Sequence, residues 1–262
     1  MSPLTSKERV LIALRHEEPD RVPVDFGARH SIHISAHRAL KRHLGLNDGA
    51  DTIRRYLNHS AEPDPRLLAL LARFATDVVA FPVGSGSRYT FRLDPETNSY
   101  TDEWGITMRM PPGGYYYDPV GYPLATALTV AEVERFPFPD PADPHRQRGP
   151  RQGHPPERPD GRHLVAGLLS ARPRAGHGGP RPAAGADRSF WGGGCDTGIL
   201  QHGSPAEVRD EVRRRLADLA PGGGFIFGSI HNIQVNVPPP NIVAMFDTAR
   251  DEGRYGGGRP VA

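Results

Sequence analysis

Apolar positions at helical spacing alternate along this chain with short apolar runs bounded by Pro and Gly. Thr5 and Glu8 form a capping box ahead of Val10, Leu11 and Leu14, which predicts a first helix ended by Pro19. Arg21 to Phe26 alternates like a short strand. A second helix is predicted over Ser35 to Leu44, stopping at Gly45, and a third over Leu67–Phe74. Asp77 to Phe81 reads as a buried strand before Pro82 and Gly84. Tyr89–Leu93 and Tyr100–Met110 flank the polar stretch Asp94–Ser99 and predict a hairpin. Thr129 and Glu132 cap a further short helix.

The pattern fails between 144 and 189 and then returns. Phe190-Trp191 runs into Gly192-Gly193-Gly194, a strand end entering a tight turn. Ser204-Pro205-Ala206-Glu207 supplies an N-cap, a first-turn Pro and an N3 Glu, and Val208, Val212, Leu216 and Leu219 follow as one helical stripe. Phe225-Ile226-Phe227 is a strand core, and a helix through Ile242, Met245 and Phe246 ends near Gly253. Strand, helix, strand, helix is the grammar of a parallel α/β fold.

Composition explains the gap. The 262 residues contain 30 Gly and 28 Pro. Between 144 and 189 stand 8 Pro, 8 Gly and 9 Arg against 3 acidic residues. Only Leu164–Leu169 is apolar there, too little to offset the entropy of ordering, so disorder is expected. The chain therefore divides into 1–143, 144–189 and 190–262.

Charge and cysteine content narrow the classes. A net charge of +2 does not mark a polyanion-seeking protein, and the Arg-rich middle has no aromatic residue for base stacking. No nucleic-acid partner is expected. Arg replaces Lys almost throughout, which fits GC-rich coding. The lone Cys195 excludes a disulfide framework or thiolate zinc cluster within one chain. Without a signal core or an apolar run near 18 residues, a cytoplasmic protein with no membrane partner is expected.

Candidate chemistry lies past the strand ends, where parallel α/β folds place it. Gly193 to Thr197 is one such place, with Asp196 either a ligand contact or a helix cap. Ser229 to Asn232 is the other, with His231 either a proton carrier or a loop histidine bonded to backbone. His30, His33, His37 and His43 do not follow a metal-binding spacing and read as solvated helix-face residues. Asp102-Glu103-Trp104-Gly105 reads as a turn or a contact at a site mouth.

Several motifs resemble the uroporphyrinogen decarboxylase superfamily, which includes tetrapyrrole decarboxylases and corrinoid-linked methyltransferases. They are Ser6–Val10, His16–Val24, Ala61–Asp64, Thr101–Gly105, Phe190–Gly193, Gly203–Val208, Ala220–Gly224, His231–Gln234 and Pro239–Ile242. The resemblance implies a (β/α)8 TIM barrel with its site at the C-terminal mouth, here incomplete. Segment 144–189 replaces several β/α units of the family and looks like GC-rich DNA read in a shifted frame.

The resemblance implies His231 as the catalytic residue and Arg29, Asp102 and Asp196 as substrate-binding residues. True decarboxylases carry an arginine-rich motif after the first strand; Arg29 is its only candidate here. Methyltransferase relatives use zinc thiolates, and Cys195 lies on a different strand end from theirs, so no metal or other cofactor is assigned. The implied partner is a small molecule, a tetrapyrrole or a methyl donor with its corrinoid, and relatives suggest a homodimer. Three readings remain: uroporphyrinogen to coproporphyrinogen decarboxylation or related chemistry, a corrinoid methyltransferase-like enzyme, and a non-catalytic remnant.

Overall fold

The computed structural model describes residues 4–26, 32–46, 52–54, 60–62, 69–78, 86–143 and 189–256. Arg29 and, except for Ser189, the segment 144–189 lie outside the described residues. The chain forms two compact units. One comprises Met1–Ile53, Ser60–Ala80 and Val165–Ala262; the other comprises Arg54–His59 and Phe81–Leu164.

The first unit begins with α1 (Ser6–Leu14), whose capping box between Thr5 and Glu8 forms as predicted. Arg21 and Val24–Asp25 follow as extended backbone in isolated bridges. β1 (Ile32–His33) leads directly into α2 (Ile34–His43). Two further short strands, β2 (Thr52–Arg54) and β3 (Ser60–Glu62), complete a three-stranded sheet in the order β1-β3-β2, with β1 and β3 antiparallel. Of the predicted third helix, Ala69–Arg73 forms α3, and Leu67 and Leu68 lie outside the described residues.

Near the other end of the chain the unit continues with β7 (Phe190–Trp191), α5 (Thr197–His202), α6 (Pro205–Leu219), β8 (Phe225–Ile226) and α7 (Pro239–Glu252). Four strand segments run side by side. Phe190 pairs with Phe225 and Trp191 with Ile226, in parallel. Val24 bridges Phe227, and Asp25 bridges Val78, both parallel. The order across this parallel surface is therefore β7, β8, the 22–25 segment and the segment at Val78. This is mixed α/β architecture with the expected parallel pairing; the described residues do not amount to a complete barrel.

Helices cover the parallel surface because their apolar stripes demand it. Val208, Val212 and Leu216 of α6 and Ile242, Met245, Phe246 and Ala249 of α7 are buried in one core with Val22, Val24, Phe225 and Phe227. Phe26, Phe74 and Phe246 meet with ring centroids 5.0–5.1 Å apart. Ion pairs tie the elements at the rim: Arg213 of α6 to Glu252 of α7 at 2.8 Å, and Arg73 of α3 to Asp247 of α7 at 2.5 Å.

A buried charge cluster fixes the start of the 22–25 segment. The Asp77 carboxylate, with no exposed side-chain surface, accepts from Arg9 and Arg21 at 2.6 Å each and from the Val24 amide at 2.9 Å. Arg9 also holds Asp20 at 2.6 Å. That contact keeps the Asp20 carboxyl below its ordinary value and raises the Arg9 guanidinium.

The second unit is a small antiparallel sheet of β4 (Ser99–Thr101), β5 (Thr107–Arg109) and β6 (Asp118–Gly121), in that order, followed by α4 (Val130–Glu134). The predicted turn at Asp94–Ser99 forms, with Asp94 and Ser99 exchanging backbone hydrogen bonds. The predicted continuous strand Tyr100–Met110 does not. Asp102 breaks it into β4 and β5, because its carboxylate accepts from the Trp104 and Ile106 amides at 2.9 Å each and stabilises a turn there. Tyr100 is buried between the Phe91 and Tyr117 rings, each 5.1 Å away.

Candidate functional site

The site is built where β8 ends. Phe227 donates its amide to Pro23 O and accepts from the Asp25 amide, both at 2.8 Å. Six residues on, Ile233 bridges Ile32 and accepts from the His33 amide at 2.8 Å. The stretch Gly228 to Asn232 is thus anchored at both ends on neighbouring strands and spans the C-terminal edge of the parallel surface.

The end of β7 packs beside it. Gly192 and Gly193 take φ values of 90° and 86°, which only Gly adopts without strain. Gly194 then donates to Gly228 O at 2.8 Å. A Cβ at Gly194 would fall on the Phe227 ring, so the glycine permits this close approach. Cys195 is buried, and Asp196 caps α5 by accepting from Gly198 and Ile199 amides at 2.8 and 3.1 Å. Buried Asn241 of α7 donates to Leu200 O and Gly203 O at 3.0 and 2.8 Å, fixing the far end of α5.

Between these walls lies a shallow open groove that encloses about 10 Å³, room for about one water. Polar side chains from three places line it: Thr197 and Gln201 of α5, Ser229 and His231 after β8, and Asn232 and Gln234 beyond. Cys195 adds its thiol, pushed up to about 12 by burial and by the negative charges of Glu211 and Asp196. A thiol in that state is not a nucleophile near neutral pH.

Of the sequence-predicted site residues, His231 stands on the groove with its ring exposed and no hydrogen-bond partner among the described residues. It is free to meet a ligand. Asp196 flanks the groove between two lining residues, with Oδ1 committed to the α5 cap. Asp102 belongs to the second unit, with Oδ1 committed to its own turn. Arg29 lies outside the described residues. Among the described residues no three His, Cys, Asp or Glu side chains form a metal-binding group.

Sequence reasoning missed Gln201 and Gln234 as wall residues. Gln201 was hidden because α5, interrupted by Gly198, carries no apolar stripe. It also missed Asp25, a buried carboxylate at the end of the 22–25 segment that accepts from Trp191 Nε1 at 2.7 Å.

The chain is thus a mixed α/β protein with a polar groove past the C-terminal ends of its parallel strands, where folds of this kind place ligand sites. Residues 183–252 match the family model described as uroporphyrinogen decarboxylase (URO-D). Over that region the chain carries a segment of the uroporphyrinogen decarboxylase superfamily. It is also similar to a uroporphyrinogen decarboxylase from Alkalilimnicola ehrlichii, 41% identical over 61 residues. That alignment covers 23% of this chain and 16% of the relative's length. No solved structure matches the chain. No helix among the described residues is long and apolar enough to cross a membrane.

Proposed function

We propose that this chain is a uroporphyrinogen decarboxylase-type protein acting on a small tetrapyrrole, with His231 handling the proton. The observation that carries the reading is His231 itself: an unpartnered imidazole over the strand-end groove, inside the segment that matches the family.

Decarboxylation breaks a carbon–carbon bond, releases CO₂ and leaves an electron pair on carbon. A proton must reach that carbon. An imidazolium at His231 can give one and be reprotonated from solvent, since its ring is exposed. The substrate's remaining carboxylates need cations, and Arg29 is the candidate for one of them. Asp196 and Asp102 are proposed as contacts through the oxygens their turns leave free.

The test is direct. The purified protein is incubated anaerobically with uroporphyrinogen, and products are separated by carboxylate number. Stepwise loss of CO₂ towards coproporphyrinogen supports the reading. Absence of any less-carboxylated product from a cooperatively folded sample would overturn it.

A further inference from the structure

The loop that carries His231 is held differently at its two ends. At the far end Ile233 accepts from the His33 amide at 2.8 Å. His33 is buried, as is His37, rather than standing on a solvated helix face, and its Nδ1 accepts from the Ser35 amide at 3.2 Å to cap α2. At the near end stands Gly228, which has no side chain to grip its neighbours. Its carbonyl accepts from the Gly194 amide at 2.8 Å. A Cβ added to it would lie 3.7 Å from Asp25 Cβ and 3.8 Å from Gly192 Cα, so the ends of the 22–25 segment and of β7 flank it closely.

Trp191 and Asp25 bridge that point. Side chains alternate between the two faces of a strand. Val22, Val24, Phe225 and Phe227 belong to the helix-covered core, so Asp25, Ile226 and Trp191 lie on the opposite face; Ile226 is buried yet is not part of that core. Trp191 pairs with Ile226 of β8, and the 22–25 segment lies beyond β8. To reach Asp25 Oδ2 at 2.7 Å, the indole crosses the end of β8 just before Gly228. Burying a carboxylate is costly, and an apolar pair would join two strand ends at lower cost. Here the costly bridge stands at the root of the loop that carries the exposed imidazole.

We propose that Trp191 and Asp25 are positioning residues for His231. Their bond fixes the separation of the two strand ends that flank Gly228, and so where the imidazole stands over the groove. Neither residue needs to touch substrate. The role rests on the proposed function for the proton that His231 carries. A misplaced proton donor slows the chemical step while leaving ground-state binding nearly unchanged.

Trp191→Phe keeps a ring and removes the donor; Asp25→Asn keeps an acceptor oxygen for the indole. Both are compared with the native full chain below their melting temperatures. Trp191→Phe should lower kcat for uroporphyrinogen about tenfold with KM within about twofold, and Asp25→Asn should stay within about threefold of the native chain. Combining Trp191→Phe with His231→Ala should cost no more than His231→Ala alone, because the bridge acts through His231. The His231 ring Cε1–H NMR signal reports the same placement without turnover: it should match the native signal in Asp25→Asn and be shifted and broadened in Trp191→Phe. An unmoved His231 signal or an unchanged kcat in Trp191→Phe overturns the proposal. So does a multiplied loss in the double variant, or an Asp25→Asn loss as large as that of Trp191→Phe. Should Trp191→Phe not fold, Gly228→Ala moves the loop root with the bridge intact, since its Cβ comes within 3.2 Å of the Asp25 carbonyl oxygen. It should disturb the His231 signal in the same way, and an undisturbed signal overturns the proposal. Absence of turnover in the native chain would overturn the proposed function and leave the NMR comparison to decide the positioning role.

Discussion

Trp191 Nε1 donates to Asp25 Oδ2 at 2.7 Å across a gap of 166 residues in sequence. The contact joins the end of β7 to the end of the 22–25 segment, although β8 lies between them in the sheet. Asp25 is only 3% exposed, so its carboxylate depends on such donors. The strand that follows the 144–189 interruption is therefore tied by a side-chain bond to the 22–25 segment near the start of the chain.

Trp191→Phe keeps most of the apolar ring and removes that donor. It should lower the unfolding free energy by about 1–3 kcal/mol, read as a lower urea midpoint with an unchanged slope. An unchanged midpoint would show that the bond contributes nothing to stability.

Acid should act through Asp20. Its hydrogen bond with Arg9 lowers its carboxyl below the ordinary 3.8 in the folded state. A depressed folded value means that the stabilisation is complete above about pH 4 and is lost as pH falls through the lower folded value. Urea midpoints at pH 6 and pH 3 should differ more for the native chain than for Asp20→Asn.

Gly194→Ala should be destabilising despite its small size. The added Cβ meets the Phe227 ring and lies 2.8 Å from the Gly228 carbonyl oxygen, so a backbone strand end would have to move. A loss of about 1–3 kcal/mol is expected from such overpacking, measurable as a lower Tm.

Cys195 should resist alkylation. With its thiol pushed up to about 12, the folded chain at pH 8 holds roughly a thousandfold less thiolate than a thiol at the ordinary 9.0. Iodoacetamide labelling should be at least about a hundredfold slower in the native chain than in urea. Comparable rates would contradict the burial described for it.

Local signals in the sequence translated well. The three capping boxes at Thr5, Thr129 and Ser204 all form, each with reciprocal Ser/Thr and Glu contacts. The α6 stripe is buried at Val208, Val212 and Leu216. These features depend on residues within a turn or two of each other. What escaped depends on distant partners. The Asp102 turn competes with a strand pattern that looked continuous, and α5 is short and held by Asp196 and Asn241 rather than by an apolar face of its own. The groove was legible as two strand ends, but the buried state of Ser229 follows only from how α5 and the 228–232 stretch pack.

The most direct measurement is uroporphyrinogen turnover by the native chain beside His231→Ala. The account predicts less-carboxylated products from the native chain and a fall of at least about a hundredfold in kcat for the variant, as expected when a positioned proton donor is removed. Products formed equally fast by both, or by neither while both unfold cooperatively, would contradict it.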